Sequence, residues 1–139
     1  MVLLDTHAWI WSVEGDTRRI GRRARALLTR AEGQDRIRVS AVSIFEIMAL
    51  ATSGRLGLSR PAEGWIRDSL GTAGVRLAEL TPAVAIDAGA IPRGALADPL
   101  DRLLVATARQ LEATLLTSDA HILAYAAATR NLRVHDAAA

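Results

Sequence analysis

Cysteine and lysine are both absent from the 139 residues. The lack of cysteine excludes a disulfide framework and any metal site built on thiolates. Three histidines without cysteine also give no zinc-binding spacing. All 17 basic residues are arginine, and against 15 acidic residues they leave a formal net charge of +2. That excess is compatible with a nucleic-acid partner but is too small to indicate one by itself.

Long hydrophobic runs are missing as well, because Glu46, Asp87 and Arg109 interrupt the longest apolar stretches. None reaches the roughly 18 residues of a transmembrane helix. The first residues lack the basic segment and apolar core of a secretion signal. We therefore expect a cytoplasmic protein with no membrane association. Half of the residues are hydrophobic and 23% are charged, which excludes disorder and, at this length, predicts one domain over residues 1–139.

Short apolar runs alternate with helical patterns along the chain. Strands are expected at residues 2–4, 37–39, 75–80, 114–117 and 132–134. Helices are expected at residues 8–13, 21–32, 41–52, 61–70, 81–91, 98–112 and 120–127. Strands separated by helices favour a parallel sheet with helices on both faces. The sequence therefore predicts a single α/β domain.

Acidic side chains stand at positions where an α/β protein binds ligands. Asp5 and Asp119 follow the first and fourth predicted strands, and ligands bind outside the carboxyl ends of parallel strands. Glu46 lies in a strongly apolar helix, where an unpaired carboxylate costs several kcal/mol. Asp101 lies in the first turn of its helix, where the helix dipole favours a negative charge.

Each acid also has a purely structural interpretation. Asp5 and Asp119 can cap the helices that follow them. Asp98 and Asp101 can form a capping box around a proline at the first helical position, and Glu46 can pair with an arginine. The joint arrangement favours a metal site, because converging carboxylates repel one another unless a hard cation such as Mg²⁺ or Mn²⁺ neutralises them.

Other chemistries have less support. No serine stands in a nucleophile elbow between glycines, and no glycine-rich phosphate loop follows the first strand. An aspartate phosphatase would need a second aspartate two residues after Asp5, where His7 stands, and a lysine. His7 and His121 are close enough in sequence to Asp5 and Asp119 to line the same cleft, or they are surface or capping residues. Trp9 and Trp11 are expected in the core or an interface.

Four segments resemble the motifs of PIN-domain ribonucleases, in the form common among VapC toxins. They are LLDTHAWIW at residues 3–11, SIFEI at residues 43–47, DPLDRLLVATA at residues 98–108 and LLTSD at residues 115–119. The motifs come in the family's order and span nearly the whole chain. The resemblance implies a three-layer α/β/α sandwich around a parallel, roughly five-stranded sheet.

The resemblance also implies the members of the site. Mapped by position, Asp5, Glu46, Asp101 and Asp119 form an acidic quartet that holds one or two Mg²⁺ or Mn²⁺ ions. Asp98 is one turn from Asp101 and is a further candidate ligand, able to bind through water. Substrate contacts are assigned to Thr6, Ser118 and Arg102, of which Arg102 is equally well explained as a solvated surface residue.

The activity implied by the resemblance is metal-dependent endoribonuclease hydrolysis by the toxin of a toxin–antitoxin pair. The expected substrate is tRNA or rRNA, cut to leave 5′-phosphate and 3′-hydroxyl ends, with inhibition of translation as the result. A housekeeping PIN nuclease without an antitoxin remains an alternative. So does a catalytically silent PIN module that only binds metal or a protein, although that alternative predicts a broken quartet.

The implied partners are a VapB-type antitoxin, a second toxin copy and, through the antitoxin, operator DNA. The antitoxin tail is expected in an apolar groove between the helices at residues 41–52 and 61–70. Ile44, Met48, Trp65 and Ile66 are the candidate groove residues. The alternative is that these side chains fill the core, which is favoured for Ile44.

Overall fold

The computed structural model describes Met1 to Ala139 and contains five strands and seven helices. The strands are β1 (Val2–Leu4), β2 (Ile37–Ser40), β3 (Val75–Ala78), β4 (Thr114–Thr117) and β5 (Val134–Asp136). The helices are α1 (Thr6–Glu14), α2 (Arg22–Gly33), α3 (Ala41–Thr52), α4 (Ala62–Leu70), α5 (Pro82–Ala90), α6 (Pro99–Leu111) and α7 (Ala120–Thr129). No helix has the length and apolar character needed to cross a membrane.

The sheet is fully parallel, in the order β3-β2-β1-β4-β5. In the central strand β1, Leu3 pairs with Arg38 on one side and with Leu115 on the other. The chain builds outward from β1 to β3 and then returns to the other side of β1 for β4 and β5. Ligands bind such sheets where the strand order reverses, outside the carboxyl ends. The residues that follow β1 and β4 lie at that point.

Side chains of β1 alternate between two hydrophobic layers, as the twofold period of a strand requires. Val2 and Leu4 face a core to which α1, α2, α3 and α4 contribute. Leu3 faces a second core built by α6 and α7, and α5 packs against α6 through Val84 and Ala88. The predicted α/β/α sandwich is confirmed.

Several predicted boundaries differ from the structure by one or two residues. Helix α1 begins at Thr6 rather than at residue 8, because Asp5 caps it. Strand β3 ends at Ala78 rather than at residue 80. The prediction of a strand at residues 132–134 is wrong by two residues: Leu132 is buried in the second core before the strand begins, and Val134 is the residue that pairs with Leu115.

The predicted apolar groove is wrong for two of its four residues. Trp65 is 0% exposed and Ile66 is 5% exposed, and both belong to the first core. The Trp65 ring meets the edge of the Trp9 ring with centroids 5.1 Å apart, which also confirms a core position for Trp9. Ile44 packs against this core, as expected, and only Met48 remains exposed.

Candidate active site

Asp5 is held rigidly at the carboxyl end of the central strand. It is 8% exposed and caps α1, with Oδ1 accepting a hydrogen bond from the Thr6 amide at 2.6 Å. Burial raises the pKa of the Asp5 carboxyl above its ordinary value, and the charge of Glu46 adds to this. Hydrogen bonds from Thr117 and Thr6 oppose the rise in pKa because they stabilise the carboxylate.

Thr117 joins two of the predicted site residues, and sequence reasoning missed it. Its hydroxyl donates to Asp5 Oδ2 at 2.6 Å and accepts from the Asp119 amide at 3.0 Å. The side chain is 0% exposed at the end of β4. The available signal was its position two residues before Asp119, next to β1 in the predicted sheet. Thr117 therefore sets Asp5 relative to Asp119.

Replacing Thr117 by valine is expected to lower the free energy of unfolding by about 1–3 kcal/mol. Valine keeps the shape but leaves a buried carboxylate oxygen and the Asp119 amide without their partner. Urea unfolding of the metal-free protein measures the loss. Thr114→Val at the start of the same strand is the matched control, since Thr114 makes no side-chain hydrogen bond and is only partly buried. Equal stabilities for the two variants would contradict this role of Thr117.

Asp98 and Asp119 both cap helices, as expected. Asp98 Oδ1 accepts from the Leu100 amide at 2.8 Å at the start of α6. Asp119 Oδ1 accepts from the amides of His121 and Ile122 at 2.8 and 3.1 Å at the start of α7. Each cap uses one carboxylate oxygen and leaves Oδ2 free of protein donors.

Asp101 has no capping role, so the reciprocal half of the predicted capping box is wrong. Its carboxylate accepts no hydrogen bond from the chain and lies among other acids. Burial raises the pKa of Asp101 from 3.8 to about 7, assisted by the charges of Asp119, Asp98, Asp5 and Glu46, in that order. The structure therefore brings all five predicted acids into one electrostatic cluster, the acidic cluster.

Glu46 projects from the middle of α3 and is partly buried. It takes part in none of the five ion pairs of the chain, so the interpretation that an arginine pairs with it is wrong. Its neighbours on the helix, Phe45 and Met48, are 63% and 38% exposed. Glu46 is thus a member of the acidic cluster that no basic side chain of the protein neutralises.

The acidic cluster has the donor chemistry of a hard-cation site but not a closed set of ligands. No three acidic or histidine side chains stand at the mutual distances of a metal shell. The five carboxylates nevertheless supply an all-oxygen donor set of the kind Mg²⁺ and Mn²⁺ prefer. Burial and the charges of its acidic neighbours raise the pKa of Asp101, and a divalent cation would relieve the repulsion between these charges. The donor chemistry of the residues present therefore fits such an ion, whereas their spacing is not that of a formed metal shell.

The three residues predicted to contact substrate engage the chain's own groups. Thr6 is 0% exposed and its hydroxyl donates to Ser43 Oγ at 2.9 Å. Ser118 donates to Asp136 Oδ1 at 3.3 Å. Arg102 donates from Nη2 to the Ala97 carbonyl at 3.4 Å, which ties it to the segment before α6.

The two histidines differ in their relation to the cluster. His121, in the first turn of α7, lines a cavity together with Asp98, Asp101 and Asp119. His7 is exposed on α1 and its ring lies 6.0 Å from that of Trp11. Only His121 lines this cavity, whereas His7 is close enough to Asp5 for its charge to oppose the rise in the pKa of Asp5.

Comparison with known proteins places the chain in a family. A family model described as PIN domain matches residues 2–128. The chain is 37% identical over 119 residues to Ribonuclease VapC22 of Mycobacterium tuberculosis (strain ATCC 25618 / H37Rv), covering 85% of this chain and 86% of that protein.

Solved structures share the fold at low identity. VapBC2 from Rickettsia felis, bound to a DNA fragment from their promoter, aligns with a TM-score of 0.67 and 14% identity over 97% of this chain and 98% of that one. DNA-bound VapBC from Salmonella typhimurium aligns with a TM-score of 0.65 and 18% identity, covering 97% of this chain and 96% of that one. FitAcB from Neisseria gonorrhoeae aligns with a TM-score of 0.63 and 22% identity, covering 98% of this chain and 97% of that one.

Proposed function

The chain belongs to the PIN-domain family, and on that basis we propose that it is a metal-dependent endoribonuclease acting as the toxin of a toxin–antitoxin pair. Residues 1–139 form the single PIN domain that carries the activity. The substrate is RNA, with tRNA or rRNA as the class whose cleavage would inhibit translation. The similarity to a protein named Ribonuclease VapC22 supports the activity.

One observation carries the proposal: at the point where the strand order reverses, Asp101 is partly buried among four other carboxylates whose charges help to raise its pKa. Burial and these charges raise the pKa of Asp101 to about 7. A protein gains nothing in stability from such repulsion, so its presence at a ligand-binding edge points to function. The silent PIN module predicted a broken quartet, and Asp5, Glu46, Asp101 and Asp119 are all present.

The residues that would hold Mg²⁺ or Mn²⁺ are Asp5, Asp101 and Asp119, with Glu46 as ligand or as partner of the attacking water. Asp98 would join through its free oxygen or through water. When bound, one or two such ions activate water at neutral pH and neutralise charge that builds on the phosphate during hydrolysis.

The chain's own groups supply orientation and proton acceptance. Thr117 and the Thr6 amide hold Asp5 in one orientation. Glu46, with no counter-cation, is suited to accept a proton from water. Ser118 and Arg102 are partly exposed beside the acids and are proposed to contact the substrate backbone. Thr6 is buried, so it would act on the site through its amide, which donates to Asp5.

A VapB-type antitoxin is the proposed partner, since solved structures with the same fold are complexes named VapBC and are described as bound to DNA. A homodimer and an assembly on operator DNA through the antitoxin are part of this proposal. Phe45 and Met48, exposed next to Glu46 on α3, offer the antitoxin an apolar contact beside the acidic cluster.

Expression in a bacterial host distinguishes a toxin from a housekeeping nuclease. Induction of the wild-type chain is expected to arrest growth, and co-expression of the neighbouring open reading frame is expected to restore it. Asp5→Asn should not arrest growth, because the central carboxylate is lost. Growth arrest by wild type and Asp5→Asn alike would contradict a nuclease-based toxicity. Unimpaired growth with active, folded nuclease would favour the housekeeping alternative.

A further inference from the structure

The connection between α1 and α2, together with the start of α2, carries a dense set of basic side chains. Six arginines lie between residues 18 and 30, and no acidic residue stands between residues 17 and 31. The small net charge of +2 therefore conceals a strong local positive charge. Five of the six are exposed and close together in sequence, and we call them the arginine patch: Arg18, Arg19, Arg22, Arg23 and Arg25.

The protein does little to neutralise the arginine patch. Only Arg19 forms an ion pair, with Asp16 at 3.5 Å, and the other four pairs of the chain involve residues outside the patch. The first turn of α2 contains no acid, although the amino end of a helix disfavours cations. Arg22 and Arg25 are three positions apart on α2, where like charges repel. Because this repulsion adds nothing to stability, the arrangement points to an anionic ligand.

Backbone contacts hold the start of α2 at the carboxyl edge of the sheet. The Gly21 amide donates to the Ala137 carbonyl at 2.8 Å, and the Ala137 amide donates to the Thr117 carbonyl at 2.9 Å. A Cβ at Gly21 would collide with the backbone of the two residues after Ala137, so the two segments pack without a side chain between them. Thr117 in turn donates its hydroxyl to Asp5. One segment therefore separates the arginine patch from the acidic cluster.

Side chains of α1 connect the same two regions by a second route. His7, two residues after Asp5, is exposed, and its ring lies 6.0 Å from the ring of Trp11 one turn further along the helix. The guanidinium carbon of Arg19 lies 5.4 Å from the centroid of the Trp11 ring, within the range of a cation–π contact. A row of side chains thus leads from Asp5 to the arginine patch.

The chemistry of the arginine patch suits a phosphate backbone. Guanidinium groups bind phosphate oxygens through pairs of hydrogen bonds, and phosphates repeat along a nucleic acid whatever its bases are. Trp11 is partly buried and lies against His7 and Arg19, so the patch presents charge rather than a free ring on which a base could stack. Contacts of this kind hold an RNA in place without reading its sequence.

We propose that the arginine patch is an exosite that binds the phosphate backbone of a folded RNA outside the nucleotides that enter the acidic cluster. This inference rests on the proposed function, because the RNA held at the patch is the one cut at the carboxylates. The exosite favours long folded RNA over short oligonucleotides, since only a long RNA reaches both surfaces. It raises affinity for the substrate and takes no part in the chemical step.

Paired substitutions that remove charge test the exosite. The patch variant is Arg22→Gln/Arg25→Gln, and the matched control is Arg67→Gln/Arg76→Gln. Arg67 on α4 and Arg76 on β3 are exposed, lie outside the patch and are each paired with an acid. The control therefore lowers the net charge by the same amount as the patch variant.

Both pairs are made in Asp101→Asn protein, so that RNA is bound and not cut. The probes are a fluorescein-labelled tRNA transcript, which is long and folded, and a labelled single strand of a few nucleotides, which is too short to reach the patch from the acidic cluster. Fluorescence anisotropy over a series of salt concentrations gives Kd and its salt dependence, and circular dichroism verifies folding.

The patch variant is expected to raise Kd for the tRNA transcript about 10-fold and to reduce the slope of log Kd against log salt by about 1.5–2, the contribution of two phosphate contacts. The control should bind the transcript as the parent does, and the short strand should bind equally to all variants. With Asp101 restored, the patch variant should raise KM for long RNA and leave kcat unchanged. Its free energy of unfolding should not fall, because the lost charges repel each other.

Equal Kd values of the folded patch variant and the control for the transcript would overturn the exosite. A loss of equal size for the short strand would also overturn it, as would weakened binding of the antitoxin with unchanged binding of RNA, which would assign the arginines to an acidic protein segment. Failure of the two proposals is distinguishable. Wild-type protein that cuts no RNA with Mn²⁺ contradicts the nuclease, whereas active protein whose RNA binding ignores Arg22 and Arg25 contradicts only the exosite.

Discussion

Asp101→Asn is expected to lower RNA cleavage by about 100-fold or more, the scale of losing one charged group that acts on the transition state. The same change is expected to raise the free energy of unfolding of the metal-free protein. Asparagine keeps the shape of the side chain and removes a carboxylate that burial and four neighbouring acids disfavour. Loss of activity with a gain in stability separates a functional acid from a structural one.

The gain in stability should depend on pH. The pKa of Asp101 is raised from 3.8 to about 7 in the folded protein, so wild type loses stability as pH rises from about 4 to about 7 while the variant does not lose this contribution. The difference in the free energy of unfolding between Asp101→Asn and wild type should grow from about pH 4 to about pH 7 and stay constant above that. Because Asp101 is partly exposed, we expect about 1–2 kcal/mol rather than the full value of the shift.

Urea unfolding at a series of pH values, with chelator present, measures this difference. Asp68→Asn is the matched control, since Asp68 is exposed on α4 and outside the acidic cluster. Asp68→Asn should leave RNA cleavage unchanged and should not raise the free energy of unfolding between about pH 4 and about pH 7. A destabilised, inactive Asp101→Asn protein would indicate a structural role and contradict the account of the acidic cluster.

Trp65→Ala is expected to lower the free energy of unfolding by about 3–5 kcal/mol, the cost of a large cavity in a packed core. Trp65 is 0% exposed and packs edge-on against Trp9. Its indole nitrogen has no hydrogen-bond partner, so packing accounts for the whole loss. Thermal or urea unfolding measures it.

Phe45→Ala provides the comparison, because Phe45 is 63% exposed on α3. A surface truncation of this kind usually changes stability by less than about 0.5 kcal/mol. If Phe45 contacts the antitoxin, its truncation should weaken the complex without destabilising the free toxin. A mild effect of Trp65→Ala on stability together with a strong effect on antitoxin binding would instead support the groove first expected from the sequence.

The elements next to the site were predictable because local signals agree there. Apolar runs predicted β1 and β4, and parallel pairing puts Asp5 and Asp119 at one edge. Capping by Asp98 followed from the proline after it. Prediction failed where an apolar pattern had two explanations. The apolar run that begins at Leu132 predicted a strand there, but Leu132 is a buried residue of the preceding loop. Trp65 was expected to line a groove, but it fills the core.

Side-chain pairing could not be predicted, since it depends on contacts between residues distant in sequence. Thr117 and Asp5 are 112 positions apart, yet their hydrogen bond orients the site. Glu46 was equally compatible with an arginine partner until the packing of α3 was known. The cavity beside the acidic cluster also lacks a local signal, because its walls come from the α5–α6 connection and from α7.

Cleavage of purified total RNA tests the central claim most directly. Wild-type protein is incubated with Mg²⁺ or Mn²⁺, with and without chelator, beside Asp5→Asn and the Asp68→Asn control. We expect discrete fragments with 5′-phosphate ends that disappear with chelator and with Asp5→Asn but persist with Asp68→Asn. Folded, metal-supplied and antitoxin-free wild-type protein that leaves every RNA intact, or fragments that persist equally in Asp5→Asn, would contradict the assignment of the acidic cluster as a nuclease site.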